Sequence, residues 1–462
     1  MKARRAVERI GPGDQVQLAT DVGPVPMNVG AVLTLGGSPD PEVVVEALVT
    51  RVPKIARLRQ RLVTPPLGLG RPYWLGLADV RSHVTQVCCP APGDDDALLA
   101  VAVDAVTRPL PRSQPLWRAV VVSGLADGRL GVVIVLHHVL ADGIGGLGVL
   151  AQLVDGGPAA PGGPPMADPG PRAIDLLADV ASERWQAVRG VSDLGATLSR
   201  ARTELGHRAG RGHGGAPRCS LNAPTGPRRR VATVDVELAP VREAGRRHGA
   251  TVNDVLLVAA TGAMADVVGR RGQVVRDLVV SVPVSARVEA GGAWGNQVGV
   301  MPVRLTLGGT AAERLVRVSA VTRTQKTQVR GASAALVGPV FRLLGAIGVF
   351  RWFVDRQRLV NTFLTNLRGP GSRLCLAGAP ILQIAPVTIT AGNVGVAFAA
   401  LSYAGRLTVT VIVDPDVVPE LRAVASALES QLAAIAATGQ TEPPERGAAV
   451  RRPTPSDVPT HR

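Results

Sequence analysis

The segment from Val135 to Gly143 constrains the fold more than any other part of the chain, because His137-His138-Val139-Leu140-Ala141-Asp142-Gly143 joins an apolar strand to a helix. Arg118 to Ser123 is a β-branched run, Asp127-Gly128 supplies a tight turn and Arg129 to Leu136 is the return strand, so a β-hairpin leads into the histidines. Beyond Gly143, the residues Ile144, Leu147, Leu150 and Leu153 recur at helical spacing. An HHxxxDG motif therefore stands where a strand ends and a helix begins.

Adjacent strand residues point to opposite faces, so His137 and His138 cannot both enter one site unless the backbone breaks between them. That argues against a metal, which would need both rings to converge, and no cysteine or further histidine lies nearby to complete a ligand set. The chemistry left for one inward histidine is general base catalysis, for which imidazole is suited by its near-neutral pKa, with the other ring structural. No G-x-S-x-G elbow or similar nucleophile motif stands out. Asp142 reads as an organiser, since a carboxylate at a helix start complements the dipole and fixes the loop. Gly143 and the glycines at 145 and 146 allow close backbone approach. The bland alternative is a pair of ordinary, partly buried histidines at a glycine-terminated strand.

The motif and seven further segments in order resemble the bacterial wax ester synthase/acyl-CoA:diacylglycerol acyltransferase family, within the CoA-dependent acyltransferase superfamily. These are Pro115-Leu116-Trp117, Ser220-Leu221-Asn222-Ala223-Pro224, Val252-Asn253-Asp254-Val255, Val282-Pro283-Val284-Ser285, Gly295-Asn296, Thr365-Asn366-Leu367-Arg368-Gly369-Pro370 and Leu401-Ser402-Tyr403-Ala404-Gly405. The resemblance runs from about Arg9 to about residue 435. It departs from the family at Gly11-Pro12-Gly13-Asp14, where a Ser-x-x-Asp pattern is usual, and at Leu367-Arg368, where Val-Pro is usual.

The resemblance implies an α/β fold of two chloramphenicol-acetyltransferase-like subdomains with a substrate tunnel at their interface. It implies acyl transfer from acyl-CoA, a co-substrate, to a hydroxyl acceptor, foremost diacylglycerol, with no metal or other cofactor. Carried onto matching residues, it makes His138 the general base, Asp142 the residue that holds the loop and Gly143 the end of the motif. Asn253, Asp254 and Asn296 are implied to shape the substrate site, although Thr251-Val252-Asn253-Asp254 also reads as a plain helix start. Trp117 is expected to anchor packing ahead of a buried strand. Leu58-Arg59-Gln60-Arg61 resembles a superfamily segment that supplies a partner for the motif aspartate, so Arg59, on an expected helix from Val45 to Leu62, is the candidate partner of Asp142. The rival readings are a wax ester synthase using long-chain alcohols, an acyltransferase for another hydroxyl acceptor, and a non-catalytic basic lipid-surface binding protein, which the intact motif disfavours.

At 462 residues the chain exceeds ordinary single-domain size. An acyltransferase subdomain carrying the motif is expected over residues 1–205, with a Gly/Pro-rich segment at 155–172. A linker at 206–230, a second subdomain at 231–439 and a disordered tail at 440–462 follow. A hairpin of Val394 to Leu401 and Leu407 to Val413 around Ala404-Gly405 resembles the first but carries no histidine.

Net charge is +15, but the arginines are scattered and aromatic residues make up only 3%, so a nucleic-acid surface is not expected. CoA phosphates or acidic lipid head groups suit the charge better. Four cysteines in a chain this long do not form a disulfide framework, and no apolar run follows the basic amino terminus, so a cytoplasmic protein is expected. Ala335 to Phe350 is the most apolar window but is broken by Gly338, Pro339, Arg342 and Gly345. It reads as a buried helix or as an interfacial one with Arg351 and Arg356 at head-group level, and gives no transmembrane helix. Peripheral association with the inner face of the cell membrane or a lipid-droplet surface is a further expectation.

Overall fold

A computed structural model describes residues 7–66, 70–76, 80–158, 170–172, 174–181, 215–285, 298–328, 341, 344–345 and 347–439. The described chain forms two six-stranded sheets, each with its own apolar core. The first contains β1 (Asn28–Leu35), β4 (Val84–Cys88), β5 (Trp117–Ser123), β6 (Leu130–His137), β11 (Cys375–Leu376) and β12 (Ala379–Val387), in the order β11-β12-β1-β6-β5-β4. A separate ribbon pairs β2 (Gln60–Val63) with β3 (Tyr73–Gly76).

The β5–β6 hairpin forms as its sequence predicts. Asp127 (φ 58°) and Gly128 (φ 65°) take the left-handed conformation that Asp and Gly tolerate best. The strands then pair antiparallel, Trp117 opposite Leu136 and Val121 opposite Val132. All eight residues of β6 are buried. That strand lies between β5 and β1, with Asn28 opposite His137. Asn28 is itself buried, and its Nδ2 donates to the carbonyls of Val106 (2.9 Å) and Arg108 (3.0 Å), closing the end of the helix Asp95–Thr107.

The expected Val45–Leu62 helix is shorter and earlier. It spans Pro41–Arg51, with Asp40 accepting the N–H of Glu42 as its cap. Pro53 has no N–H to continue the ladder, so two 3-10 turns follow, Val52–Lys54 and Ala56–Arg59, and the chain enters β2 at Gln60. Arg59 is thus the last residue of a turn rather than part of a helix.

The second sheet contains β7 (Arg230–Glu237), β8 (Asp277–Ser285), β9 (Val298–Thr306), β10 (Thr362–Arg368), β13 (Val396–Tyr403) and β14 (Arg406–Val413), in the order β7-β14-β13-β10-β8-β9. The β13–β14 hairpin turns through Ala404 (φ 46°) and Gly405 (φ 82°), a two-residue loop with both central residues left-handed. The helices Leu238–Arg247, Val252–Arg270 and Leu421–Thr438 pack on this sheet and on one another. Val252–Arg270 is long and apolar enough to cross a membrane, but Val255 to Met264 are all buried within the second core, so it serves as a core helix.

Two expected boundaries change. Residues 375–387 do not stay with the second half: β12 pairs antiparallel with β1, Ala31 opposite Pro386, and completes the first sheet. Tyr403 joins the halves at this crossing, its hydroxyl donating to Ile381 O (3.0 Å) and accepting from Leu374 N (2.7 Å). Asp155, at the end of the first half, accepts the N–H groups of Ala377 (3.0 Å) and Gly378 (2.7 Å) in the β11–β12 turn. The described part of the expected linker is likewise built into the second half. Arg229 is buried beside Asp414 at 3.4 Å and donates to Thr390 O (3.0 Å) and Gly226 O (2.7 Å). Residues 182–205 and the tail from 440 lie outside the described residues.

Candidate active site

Strand β6 stops at His137, and the chain turns immediately, with Leu140 N donating to His137 O (2.9 Å) and His138 N donating to Met27 O (2.8 Å). The opposite-face rule therefore applies only up to the break, and the two rings are separated by what holds them. His137 is 3% exposed, and its Nδ1 accepts the N–H of Val139 at 3.1 Å. The proton then sits on Nε2, which donates to Asp21 Oδ2 at 3.2 Å. Both ring nitrogens of His137 are engaged. His138 is half-buried in the turn.

Asp21 follows the helix Pro12–Thr20 and accepts the N–H of Met27 through Oδ1 (3.0 Å), while Arg112 stands 3.5 Å from Oδ2. Burial works against its charge, but the hydrogen bond and attraction of His137, the Met27 N–H and Arg112 outweigh it and hold the carboxyl below its ordinary value. This residue escapes sequence reasoning, because nothing in the Thr20-Asp21-Val22 stretch marks it as a partner for a histidine 116 positions away.

Asp142 is 2% exposed and caps the helix Gly143–Leu153 as expected, Oδ1 accepting from Gly145 N at 2.8 Å. Gly143 begins that helix against the other half of the molecule. A Cβ there would stand 2.8 Å from Leu367 Cδ2 on β10, so the absence of a side chain lets the two halves close at the motif. The Thr365–Pro370 segment is in this way brought to HHxxxDG.

Trp117 is buried, its Nε1 donating to Leu58 O at 2.7 Å. His83 stacks on it, ring centroids 4.9 Å apart, and its Nδ1 lies 2.9 Å from Trp117 O. Because Trp117 is the register partner of Leu136, this bond fixes Arg59, the residue after Leu58, near the strand that carries the histidines.

The second group of expected site residues is placed differently. Asp254 forms a capping box with Thr251, accepting Thr251 N (2.8 Å) and Oγ1 (2.7 Å) through Oδ2, while Oδ1 accepts the hydroxyl of Thr322 (2.8 Å) on the helix Ala311–Gln328. Both oxygens tie one helix to another, as the helix-start reading has it. Asn253 is half-buried at the same helix start, and Asn296 lies outside the described residues. Asn222 spans the second half, its Nδ2 donating to Asn361 O (2.9 Å) and Asn393 O (3.1 Å).

Residues 10–256 match the family model described as the wax ester synthase/diacylglycerol acyltransferase catalytic domain, and residues 294–436 match the C-terminal domain of the same family. A probable diacylglycerol O-acyltransferase of Mycobacterium tuberculosis is 30% identical over 435 residues, covering 89% of this chain and 92% of that protein. The wax ester synthase/diacylglycerol acyltransferase from Marinobacter aquaeolei VT8 superposes with a TM-score of 0.67 at 23% identity, covering 94% of this chain and 100% of that one. The first condensation domain of a calcium-dependent antibiotic synthetase superposes with a TM-score of 0.61 at 19% identity, over 94% of this chain and 97% of that one. The mixed α/β, two-part fold expected from the sequence is therefore the fold observed. The chain belongs to the wax ester synthase/diacylglycerol acyltransferase family and is an acyl-CoA-dependent O-acyltransferase.

Proposed function

We propose that the protein acylates diacylglycerol, with His138 as general base. The observation that carries the assignment is the engagement of both ring nitrogens of His137 by Asp21 and Val139, which removes that ring from proton transfer. The base role then falls to His138, in the turn between a fixed strand and a capped helix. His138 takes the proton of the acceptor hydroxyl as its oxygen attacks the thioester carbonyl. When the tetrahedral intermediate collapses, the C–S bond breaks and the proton passes to the departing CoA thiolate, giving ester and free CoA. A thioester is already activated, so holding donor and acceptor together supplies much of the remaining acceleration. The acceptor is read from the relatives, which carry the diacylglycerol O-acyltransferase name.

Thioester release from long-chain acyl-CoA, measured with diacylglycerol and with a long-chain alcohol, tests both parts. His138→Ala should fall by roughly 10²–10⁴-fold with an unchanged unfolding midpoint. Near-parental turnover by folded His138→Ala would remove the base assignment, and faster release with the long-chain alcohol would replace diacylglycerol by the wax ester reaction.

A further inference from the structure

The second half carries an exposed edge that the acyl-transfer site does not use. The helix Phe350–Val354 is anchored by Phe350, 6% exposed, whose ring meets Phe341 at 5.2 Å and Phe353 at 6.3 Å. On the outer side, Trp352 is 62% exposed, with Ile347 at 60% and Leu359 at 54% on the adjoining chain. A large aromatic residue this exposed is uncommon on an ordinary surface. Its ring carries the Arg356 guanidinium 5.4 Å from its centroid, which keeps a cation beside an apolar face.

Arg356 also lines a cavity of about 460 Å³, in the size range of ligand sites. Arg218 and Arg358 join it there, and among the described residues no carboxylate lines the cavity. Among the described residues none of these three arginines is ion-paired. The nearby carboxylates are taken up elsewhere, Glu420 by Arg271 (2.5 Å) and Asp355 facing Arg351 (3.8 Å). The floor is built of amides that hold one another: Asn361 Nδ2 donates to Asn222 Oδ1 (2.8 Å), and Gln357 Nε2 donates to Asn393 Oδ1 (2.6 Å). Three guanidiniums without an ion pair among the described residues, over a floor of hydrogen-bonded amides, suit a phosphate group.

The cavity residues Val360 and Asn361 precede β10, whereas the motif meets that strand at Leu367. Five residues lie between Asn361 and Leu367, a span of roughly 20 Å along the strand. The cavity is thus set apart from the histidines.

We propose that this edge docks the protein on an anionic phospholipid surface. Trp352, Leu359 and Ile347 enter the interface, Arg351 and Arg356 remain at head-group level, and a lipid phosphate sits under Arg218, Arg356 and Arg358. Exposed tryptophan flanked by arginines is the combination favoured at a membrane–water boundary, and the charge of the rim selects acidic lipids. This rests on and deepens the lipid-acceptor reading above by naming where the lipid is met, and the flotation that tests it needs no diacylglycerol.

Flotation of the full chain with phosphatidylglycerol vesicles and with pure phosphatidylcholine vesicles, at low and high salt, provides that test. The parent should prefer phosphatidylglycerol. Arg356→Ala/Arg358→Ala should lose roughly thirtyfold in that binding at low salt, with the preference largely gone. Trp352→Ser should weaken binding to both vesicles at either salt. Both variants should keep parental thioester release from a short-chain acyl-CoA to a soluble alcohol, which establishes that they fold. Parental binding by Trp352→Ser, an undiminished lipid preference in the arginine variant, or no binding by the parent would each overturn the proposal. A raised KM for acyl-CoA in the vesicle-free assay would overturn it too, because the arginines would then hold the phosphates of CoA.

Discussion

Gly143 of the first half and Leu367 of the second pack so closely that a methyl group on the glycine would stand 2.8 Å from Leu367 Cδ2. The contact is between the end of the HHxxxDG motif and the strand β10, so the two halves meet one residue away from Asp142. Gly143→Ala is expected to cost about 1–3 kcal/mol by overpacking. Because the obstacle is the end of a side chain, Leu367→Ala should recover part of that loss, and a double-mutant cycle in urea measures it. Additive effects of the two changes would show that they do not press on one another.

His137→Ala leaves Asp21 without its ring N–H and Val139 N–H without its acceptor. A stability loss of about 1–3 kcal/mol is expected, with turnover per folded molecule reduced far less than in His138→Ala. Equal turnover losses in the two variants, at equal folded fraction, would contradict the division of labour between the rings.

Asp142 has one role that the structure shows and one that we propose. As a cap it is replaceable by Asn, so on that role alone Asp142→Asn should be nearly neutral and Asp142→Ala should cost about 0.5–2 kcal/mol. If Arg59, which is half-buried, is also its partner, Asp142→Asn should itself destabilise by more than the cap accounts for, up to the roughly 3–5 kcal/mol of a fully buried pair. Thermal unfolding of the two variants separates the cases: a harmless Asn substitution would leave Asp142 as a cap and end the Arg59 proposal.

Acid should loosen the first half of the molecule. Asp21 and Asp155 both titrate below their ordinary range in the folded protein. Burial opposes this in each, but His137, Met27 N–H and Arg112 prevail at Asp21, and the Gly378 and Ala377 N–H groups with Arg51 prevail at Asp155. Each therefore adds stability that is complete above the unfolded carboxyl pKa of about 3.9 and is lost as pH falls through the folded value. Denaturant midpoints measured between about pH 3 and 6 should fall with acid, and the fall should be shallower in Asp155→Asn. An identical acid limb in that variant and the parent would reject the assignment for Asp155.

Local features were legible in the sequence because local chemistry determines them. Asp127-Gly128 marks a hairpin since Asp and Gly tolerate positive φ, Gly405 marks the second hairpin although Ala404 beside it takes φ 46° without that tolerance, and Asp142-Gly143 marks a helix start since a short carboxylate caps one. Pro53 was an available signal for the end of the Pro41–Arg51 helix, but the apolar periodicity continuing to Leu62 masks it. The pairing of His137 with Asp21 and the seating of β12 beside β1 depend on contacts between distant segments, which no periodicity encodes. The capping box of Thr251 and Asp254 was legible in the sequence for the same local reason, whereas the bond from Thr322, 68 positions away, was not.

The loan of β12 to the first sheet has a consequence for how the polypeptide is made. The histidine motif is complete once residue 143 has been synthesised, yet the edge of β1 that flanks it stays unpaired until Val387 has emerged. During translation the nascent first half must carry an open apolar edge, with Val32, Leu33 and Leu35 along it, the kind of surface that recruits stray strands from other chains. The ribosome thus delivers the last strand of the amino-terminal sheet only after most of the carboxy-terminal half, so that sheet cannot be completed before then.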